Sequence, residues 1–166
     1  ALDWQWVLGL SVATRGRDHL IGTPVQTRPG WLPELATTEM MTELGRERYG
    51  DPKIFNEAWY DSPKKALHVY DQENNYALCD MTGACKFAAE QTLYFTGLHN
   101  EDFANLLTAA TGVDYITEDV VKAAERQLLL ERAFNAREGI RRIDDYPLPF
   151  HWQLKYNEPH PRYKDV

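Results

Sequence analysis

Residues 62–87 read SPKKALHVYDQENNYALCDMTGACKF, and they join a well-marked helix to a polar turn. Ser62 supplies an N-cap hydroxyl and Pro63 suits a first turn, so the pattern predicts that a helix begins here. Apolar and aromatic side chains follow at helix spacing to about residue 79. Gly83 can then adopt the backbone conformation that ends a helix. The stretch therefore predicts a helix over 62–79 followed by a tight turn.

The rest of the chain also predicts helices rather than strands. Hydrophobic residues recur at helix spacing in four further segments, and no segment shows the alternation that is typical of a strand. The predicted helices are residues 4–12; residues 33–44, with Gly45 and Gly50 near the end; a helix capped by Asn100, with core residues Phe103, Leu106, Leu107 and Ala110; and a helix capped by Thr117 that ends at Gly139 and buries Val120, Val121, Ala124, Leu128 and Phe134. We therefore expect an all-α, irregular helical domain over residues 1–150. Four prolines from residue 147 onward predict an extended tail over 151–166.

Composition and charge limit the classes of protein to consider. The chain has 166 residues, 43% hydrophobic and 26% charged, which suits one soluble domain with a real core. A net charge of -7 argues against a nucleic-acid partner, and no apolar run approaches the roughly 20 residues of a membrane span. The two cysteines are too few and too close for a disulfide framework, so we expect a reducing, cytoplasmic setting. The first residue is not Met, and we expect a piece of a longer protein.

The turn after residue 79 carries an acid and a thiol that a hydrophobic core does not require. Asp80 and Cys85 lie five residues apart on either side of Gly83. A carboxylate, free backbone N–H groups around a glycine and one thiol suit a site that holds a polar heterocycle beside a soft metal centre. The alternative is structural, with Asp80 as a turn acid, Gly83 as a helix C-cap and Cys85 as a small buried hydrophobe. Cys79 has the wrong spacing to complete a zinc site with Cys85.

A polar loop after the first helix, ATRGRDHL at residues 13–20, contains a second candidate. An arginine and a glycine beside an Asp-His pair could place His19 over a substrate, with Asp18 influencing its charge. The alternative is a solvated loop with a capping histidine. The sequence contains no phosphate-binding glycine loop and no H-E-x-x-H or G-x-S-x-G motif. The histidines without a partner at ligand spacing are assigned no role: His68, His99, His151 and His160.

Three blocks of sequence, in this order, resemble the C-terminal part of the tungsten-containing aldehyde ferredoxin oxidoreductase family. VATRGRDHL at residues 12–20 is similar to the family's A-T-x-R-G-x-x-H-L loop. DMTGACKF at residues 80–87 is similar to its D-x-x-G-L-C motif. LLTAATG at residues 106–112 and ERAFNAREG at residues 131–139 are similar to its ending, L-L-N-A-x-T-G … L-E-R-x-F-N-x-R-E-G-x-x-R-x-D-D. Each block is a weak signal, whereas three in register are a strong one.

The resemblance implies a cofactor and a role for each candidate residue. In the family, two pterin-dithiolenes hold tungsten, or sometimes molybdenum, beside a [4Fe–4S] cluster. The resemblance places Asp80, with Gly83 in its turn, at a pterin, makes Cys85 the fourth ligand of the cluster, and puts His19 near the metal, where it binds the substrate oxygen or moves its proton. It implies oxidation of an aldehyde to a carboxylate, with ferredoxin as the electron acceptor.

The chain also departs from the family pattern. Ala84 replaces the usual leucine, and the family's N-terminal domain, three-cysteine cluster motif, first D-x-x-G motif and active-site glutamate are not in this sequence. We therefore expect the isolated chain to bind neither tungstopterin nor cluster, and to need the N-terminal part of the same protein or a complementary subunit. Two alternatives stay open. One is a non-catalytic helical remnant or interaction module; the other is a family branch that reduces another substrate at low potential, such as an aromatic thioester.

Overall fold

The computed structural model describes residues 4–21, 37–55, 62–89 and 97–146, and within these ranges it contains helices and no strand. The all-α prediction is confirmed. The predicted tail over 151–166 lies outside the described residues. The elements are α1 (Trp4–Val12), α2 (Thr38–Tyr49), α3 (Lys64–Thr82), α4 (Lys86–Ala89), α5 (Asn100–Thr111), α6 (Thr117–Arg137) and a 3₁₀ turn (Arg142–Asp145).

Helix α3 is the centre of the described part of the chain, because it packs against each of the other five helices found there. Its C-terminal half joins α5 and α6 in the main core, where Phe103 and Ala124 are fully buried. A smaller core lies around α2 and includes Met41 and Ile54. Burying these side chains removes apolar surface from water and stabilises the helix contacts. The end of α3, which carries Asp80, is therefore anchored by the main hydrophobic core.

The second helix differs from its prediction, because it extends past Gly45 to Tyr49 and is capped by Gly50, whose φ is 63°. The first part of the predicted helix, residues 33–36, lies outside the described residues. Gly45 is buried inside the helix, where an added Cβ would lie 2.6 Å from the carbonyl oxygen of Asp51. The end predicted near residue 44 is wrong because Gly45 allows a close backbone approach and does not terminate the helix.

Helix α3 also runs further than predicted. It continues to Thr82, whose hydroxyl donates to the Leu78 carbonyl at 2.7 Å. Gly83 follows as the left-handed C-cap with φ 74°. Asp80 therefore lies on the last turn of the helix rather than in the loop, and the predicted C-cap role of Gly83 is confirmed.

Two predicted caps and three predicted core positions are wrong. Asn100 and Thr117 are the first residues of their helices, and His99 and Ile116 are the caps. The backbone N–H groups of these caps donate to the carboxylates of Asp102, at 2.8 Å, and Asp119, at 3.3 Å, so the third helical residue closes each end. The side chains expected in the core but found exposed are Leu106, Ala110 and Phe134.

The histidine within α3 is part of the hydrophobic packing. The ring of His68 is fully buried and packs edge-on against Phe55 and Tyr49, with centroids 4.9 and 5.7 Å away. Burial lowers the pKa of His68 to about 3, so the ring is neutral in the folded chain at ordinary pH.

Among the described helices, none combines the length and the apolar composition needed to cross a bilayer.

Candidate functional site

The loop that follows α1, residues 13–21, places His19 at the surface. Arg15 bonds the Asp18 carboxylate at 2.7 Å, and the Leu20 N–H donates to the same carboxylate at 2.8 Å. The Leu20 N–H and the Arg15 guanidinium hold the pKa of Asp18 below its usual range, so Asp18 stays ionised. The side chain of His19 is 62% exposed, with its Nδ1 4.0 Å from Asp18 Oδ1. Its ring stacks on Trp6, with centroids 6.4 Å apart.

Side chains of α6 form hydrogen bonds that hold the start of this loop in place. Glu131 accepts a hydrogen bond from the Thr14 hydroxyl, and the side-chain amide of Asn135 donates to the Thr14 carbonyl. Arg132 donates to the Val12 carbonyl and to the Asp145 carboxylate, the latter at 3.0 Å. Three side chains of α6 therefore fix the start of this loop, two through Thr14 and one through the carbonyl of Val12 at the end of α1.

Lys86, in the second motif, also binds this loop. Lys86 Nζ lies 2.8 Å from Asp80 Oδ2 and 2.5 Å from the Leu20 carbonyl oxygen. One ammonium group therefore joins the acid at the end of α3 to the residue that follows His19. Nothing in the sequence indicates the contact between Lys86 and Leu20, because these two residues are 66 positions apart along the chain.

The three motifs meet at one cavity of about 510 Å³, the Asp80 cavity. The loop contributes Thr14, Arg15 and Ile21, α3 contributes Asp80, and α6 contributes residues that include Glu131 and Asn135. Two exposed apolar side chains of α6, Leu130 and Phe134, also line this cavity. A polar wall beside an apolar one is suited to a large heterocycle with N–H groups.

Cys85 and Gly83 do not line this cavity, although both lie within five residues of Asp80 along the chain. The Cys85 thiol is free and exposed, whereas Cys79 is buried and its pKa is raised to about 11 by that burial. The interpretation of Cys85 as a buried hydrophobe is therefore wrong, and it applies to Cys79 instead. An added Cβ on Gly83 would meet nothing within 4 Å, so glycine is required there by the positive φ and not by space. His19 does not line the cavity either, although its loop does.

The donors present fit part of a cofactor site. The described residues contain no group of three or more His, Cys, Asp or Glu side chains placed to hold a metal ion. One exposed thiol fits a single ligand position of a cluster that takes four thiolates. Asp80 is 37% exposed and opens on the cavity, so its carboxylate can accept hydrogen bonds from ring N–H groups. The remaining ligands of such a group have to come from elsewhere.

A neighbouring cavity contains a carboxyl group that the sequence did not identify. Glu73 of α3 is half-buried in a space of about 410 Å³, the Glu73 cavity, which Leu128, Leu129 and Arg132 also line. Burial raises the pKa of Glu73 to about 7, and Arg132 opposes that shift only in part. No sequence signal marks Glu73, because it lies within the polar run Asp71–Asn75, which is typical of a solvated helix face.

The charge of Glu73 is expected to make stability depend on pH. Because the folded pKa, about 7, lies above the ordinary value of 4.5, the contribution of this group is fully present below pH 4.5 and is lost as pH rises through 7. Glu73→Gln keeps the neutral form at every pH. We expect it to raise the free energy of unfolding at pH 8 by on the order of 2 kcal/mol, with little change at pH 4.5, in denaturant titrations.

The matched control for Glu73→Gln is Glu47→Gln on α2, an exposed glutamate. It is expected to change stability by less than about 0.5 kcal/mol at both pH values. A Glu73→Gln chain that is no more stable than the parent chain at pH 8 would show that the carboxyl is well solvated.

Removing the Arg132 guanidinium is expected to loosen the His19 loop. Arg132→Met keeps the aliphatic length but leaves the Asp145 carboxylate and the Val12 carbonyl without this donor. We expect a loss of about 2–3 kcal/mol in the free energy of unfolding, measured by chemical denaturation. Arg126→Met, at an exposed position on the same helix, should change it by less than about 0.5 kcal/mol. Equal losses in the two variants would contradict the role given to Arg132.

Comparison with known proteins identifies relatives of one kind. A family model described as "Aldehyde ferredoxin oxidoreductase, domains 2 & 3" matches residues 2–164. The tungsten-containing aldehyde ferredoxin oxidoreductase of Pyrococcus abyssi is 37% identical over 147 residues, which is 81% of this chain and 23% of the relative. The enzyme of the same name from Pyrococcus horikoshii is 34% identical over the same shares of both chains. That of Pyrococcus furiosus is 40% identical over 73 residues, 44% of this chain and 11% of the relative.

No solved structure gives a significant match. The chain spans 23% or less of the length of these curated relatives. The family model nevertheless covers nearly all of the chain, including the loop, the turn and the α6 segment that meet at the Asp80 cavity. This chain belongs to the aldehyde ferredoxin oxidoreductase family.

Proposed function

We propose that this chain is the C-terminal helical part of a tungstopterin-dependent and [4Fe–4S]-dependent oxidoreductase, which oxidises aldehydes to carboxylates and passes the electrons to ferredoxin. The relatives named above are tungsten-containing enzymes. In this proposal Asp80 and the backbone around Gly83 bind a pterin, Cys85 is one cluster ligand and His19 faces the substrate. The exposed thiol of Cys85 also supports a reducing, cytoplasmic setting.

The observation that carries the proposal is the meeting of the three motifs at the Asp80 cavity. Loop residues, the acid of α3 and the α6 segment come from widely separated parts of the chain, yet they line one space of about 510 Å³. A purely structural role for the motifs does not require a carboxylate to open on that space. A cofactor-binding role does, because a pterin ring presents several N–H donors to an acceptor.

The chain's own residues have limited and definite tasks in such a reaction. A bound tungstopterin would supply the two-electron chemistry, with the cluster as the exit for single electrons. Asp80 would orient the ring through hydrogen bonds from its N–H groups. His19 is exposed on a loop that three α6 side chains hold in place, so its imidazole can give or take a proton at the substrate oxygen.

The proposal is tested with the intact protein that includes this chain. We expect tungsten, pterin and iron to be bound in fixed ratios, and an aldehyde to reduce ferredoxin or a viologen dye with formation of the carboxylate. Metal and pterin bound without aldehyde oxidation would favour the family branch that reduces another substrate. An intact protein that binds neither would support the non-catalytic helical remnant or interaction module.

A further inference from the structure

Lys86 occupies a position that no motif role explains. It follows Cys85 and begins α4, and its side chain reaches back across the turn with only 14% of its surface exposed. Its ammonium group lies 2.8 Å from Asp80 Oδ2, 2.5 Å from the Leu20 carbonyl oxygen and 5.3 Å from the centre of the Tyr76 ring. Three parts of the fold therefore meet at one cation.

The position of the Lys86 ammonium group restricts the orientation of the Asp80 carboxylate. Lys86 engages Oδ2, whereas Oδ1 of Asp80 accepts no hydrogen bond from any residue that the structure describes. A carboxylate with one oxygen fixed can rotate little, so its second oxygen is presented in a fixed direction. Asp80 lines the cavity where the three motifs meet, and that second oxygen is left for a donor there.

The same cation fixes the loop of His19. Leu20 is the next residue after His19, and its carbonyl is the second acceptor of the ammonium group. The Leu20 N–H donates to Asp18, so both backbone polar groups of Leu20 are hydrogen-bonded. A charge-assisted hydrogen bond is stronger than a neutral one and constrains both partners. The acid and the histidine loop are therefore held at a constant separation.

We propose that Lys86 is a positioning residue, which aims Asp80 Oδ1 at a pterin N–H donor and holds the His19 loop beside that ring. This inference rests on the roles of Asp80 and His19 in the proposed function and adds a residue to them. Lys86 touches neither substrate nor reacting atoms in this account. Its effect passes through the two groups that it binds.

The test uses the intact protein with Lys86→Met, which keeps the length and removes the charge, and Lys86→Arg, which keeps the charge. The first readout is hydrogen exchange of the Leu20 and Ile21 amides, both of which donate to Asp18. We expect exchange to quicken about tenfold in Lys86→Met and to return most of the way in Lys86→Arg. Lys122→Met, on an exposed lysine of α6, should leave it unchanged.

The second readout is the tungsten and pterin retained after dialysis, which needs no activity. We expect the affinity for pterin to fall about tenfold in Lys86→Met and to recover in Lys86→Arg. If Asp80 is the route of the effect, Asp80→Asn combined with Lys86→Met should lose no more pterin than Asp80→Asn alone. A double variant with fully additive losses would contradict that route.

The outcomes separate this inference from the function on which it rests. Unchanged exchange in Lys86→Met refutes the role of Lys86 even when the wild-type protein holds its cofactor. Faster exchange with unchanged pterin retention makes Lys86 a structural contact and equally refutes a positioning role. A wild-type protein that holds no pterin refutes the proposed function, and the role of Lys86 toward a pterin falls with it.

Discussion

Cys85→Ala is expected to abolish the iron–sulfur cluster of the intact protein. The thiol is free and exposed in the turn between α3 and α4, and the described residues offer no other accessible cysteine. A [4Fe–4S] cluster takes four thiolate ligands, and loss of one exposes an iron to solvent. We expect the visible absorbance and the electron paramagnetic resonance signal of the reduced cluster to disappear, with iron reduced by about four atoms per chain.

Cys79→Ala is the matched control for that experiment. Cys79 is buried in the main core and its pKa is raised to about 11, so it is unsuited to ligate iron as a thiolate. We expect this variant to lose about 1 kcal/mol of stability and to keep the cluster signal. A cluster that survives Cys85→Ala, or that vanishes in Cys79→Ala with the fold intact, would contradict the assignment.

His19→Ala is expected to slow aldehyde oxidation about 100-fold or more while tungsten, pterin and iron contents stay the same. The physical reason is that an exposed imidazole beside an ionised Asp18 can exchange a proton at the substrate, and alanine cannot. The measurement is kcat of the intact protein with a saturating aldehyde, together with metal analysis of the same sample.

Arg17→Met separates proton transfer from disturbance of the loop. Arg17 lies two residues before His19 and donates to the Tyr146 carbonyl at 3.1 Å, at the protein surface. We expect this variant to retain kcat within about twofold, because one exposed hydrogen bond contributes little to the position of the loop. Normal turnover in His19→Ala would remove the histidine from the mechanism.

The sequence predicted the elements of the fold well, because helix spacing and terminal glycines are local signals. It predicted the last turn of α3 less well, since nothing local distinguishes a helix that ends at residue 79 from one that ends at Thr82. Gly45 was misleading for a different reason. Glycine is needed at this position because the Asp51 backbone approaches it closely, and that is a tertiary contact.

The site was predictable in its motifs but not in the contacts that assemble it. Asp80 could be singled out as an acid in an unusual setting, and the structure places it on a cavity. Arg132 and Lys86 could not be singled out, because their partners lie 120 and 66 residues away along the chain. Glu73 was hidden as well, since a charged residue on a helix is usually solvated and only the fold makes this one half-buried.

The central claim is that Asp80 and Cys85, on either side of Gly83, face two neighbouring redox groups, a tungstopterin and an iron–sulfur cluster, and diffraction at the iron absorption edge tests it most directly. Data from crystals of the intact, metal-loaded protein should place an iron atom bonded to the Cys85 sulfur and tungsten across the ring that Asp80 contacts. Iron and tungsten located far from this turn, with Cys85 bonded to neither, would contradict the account.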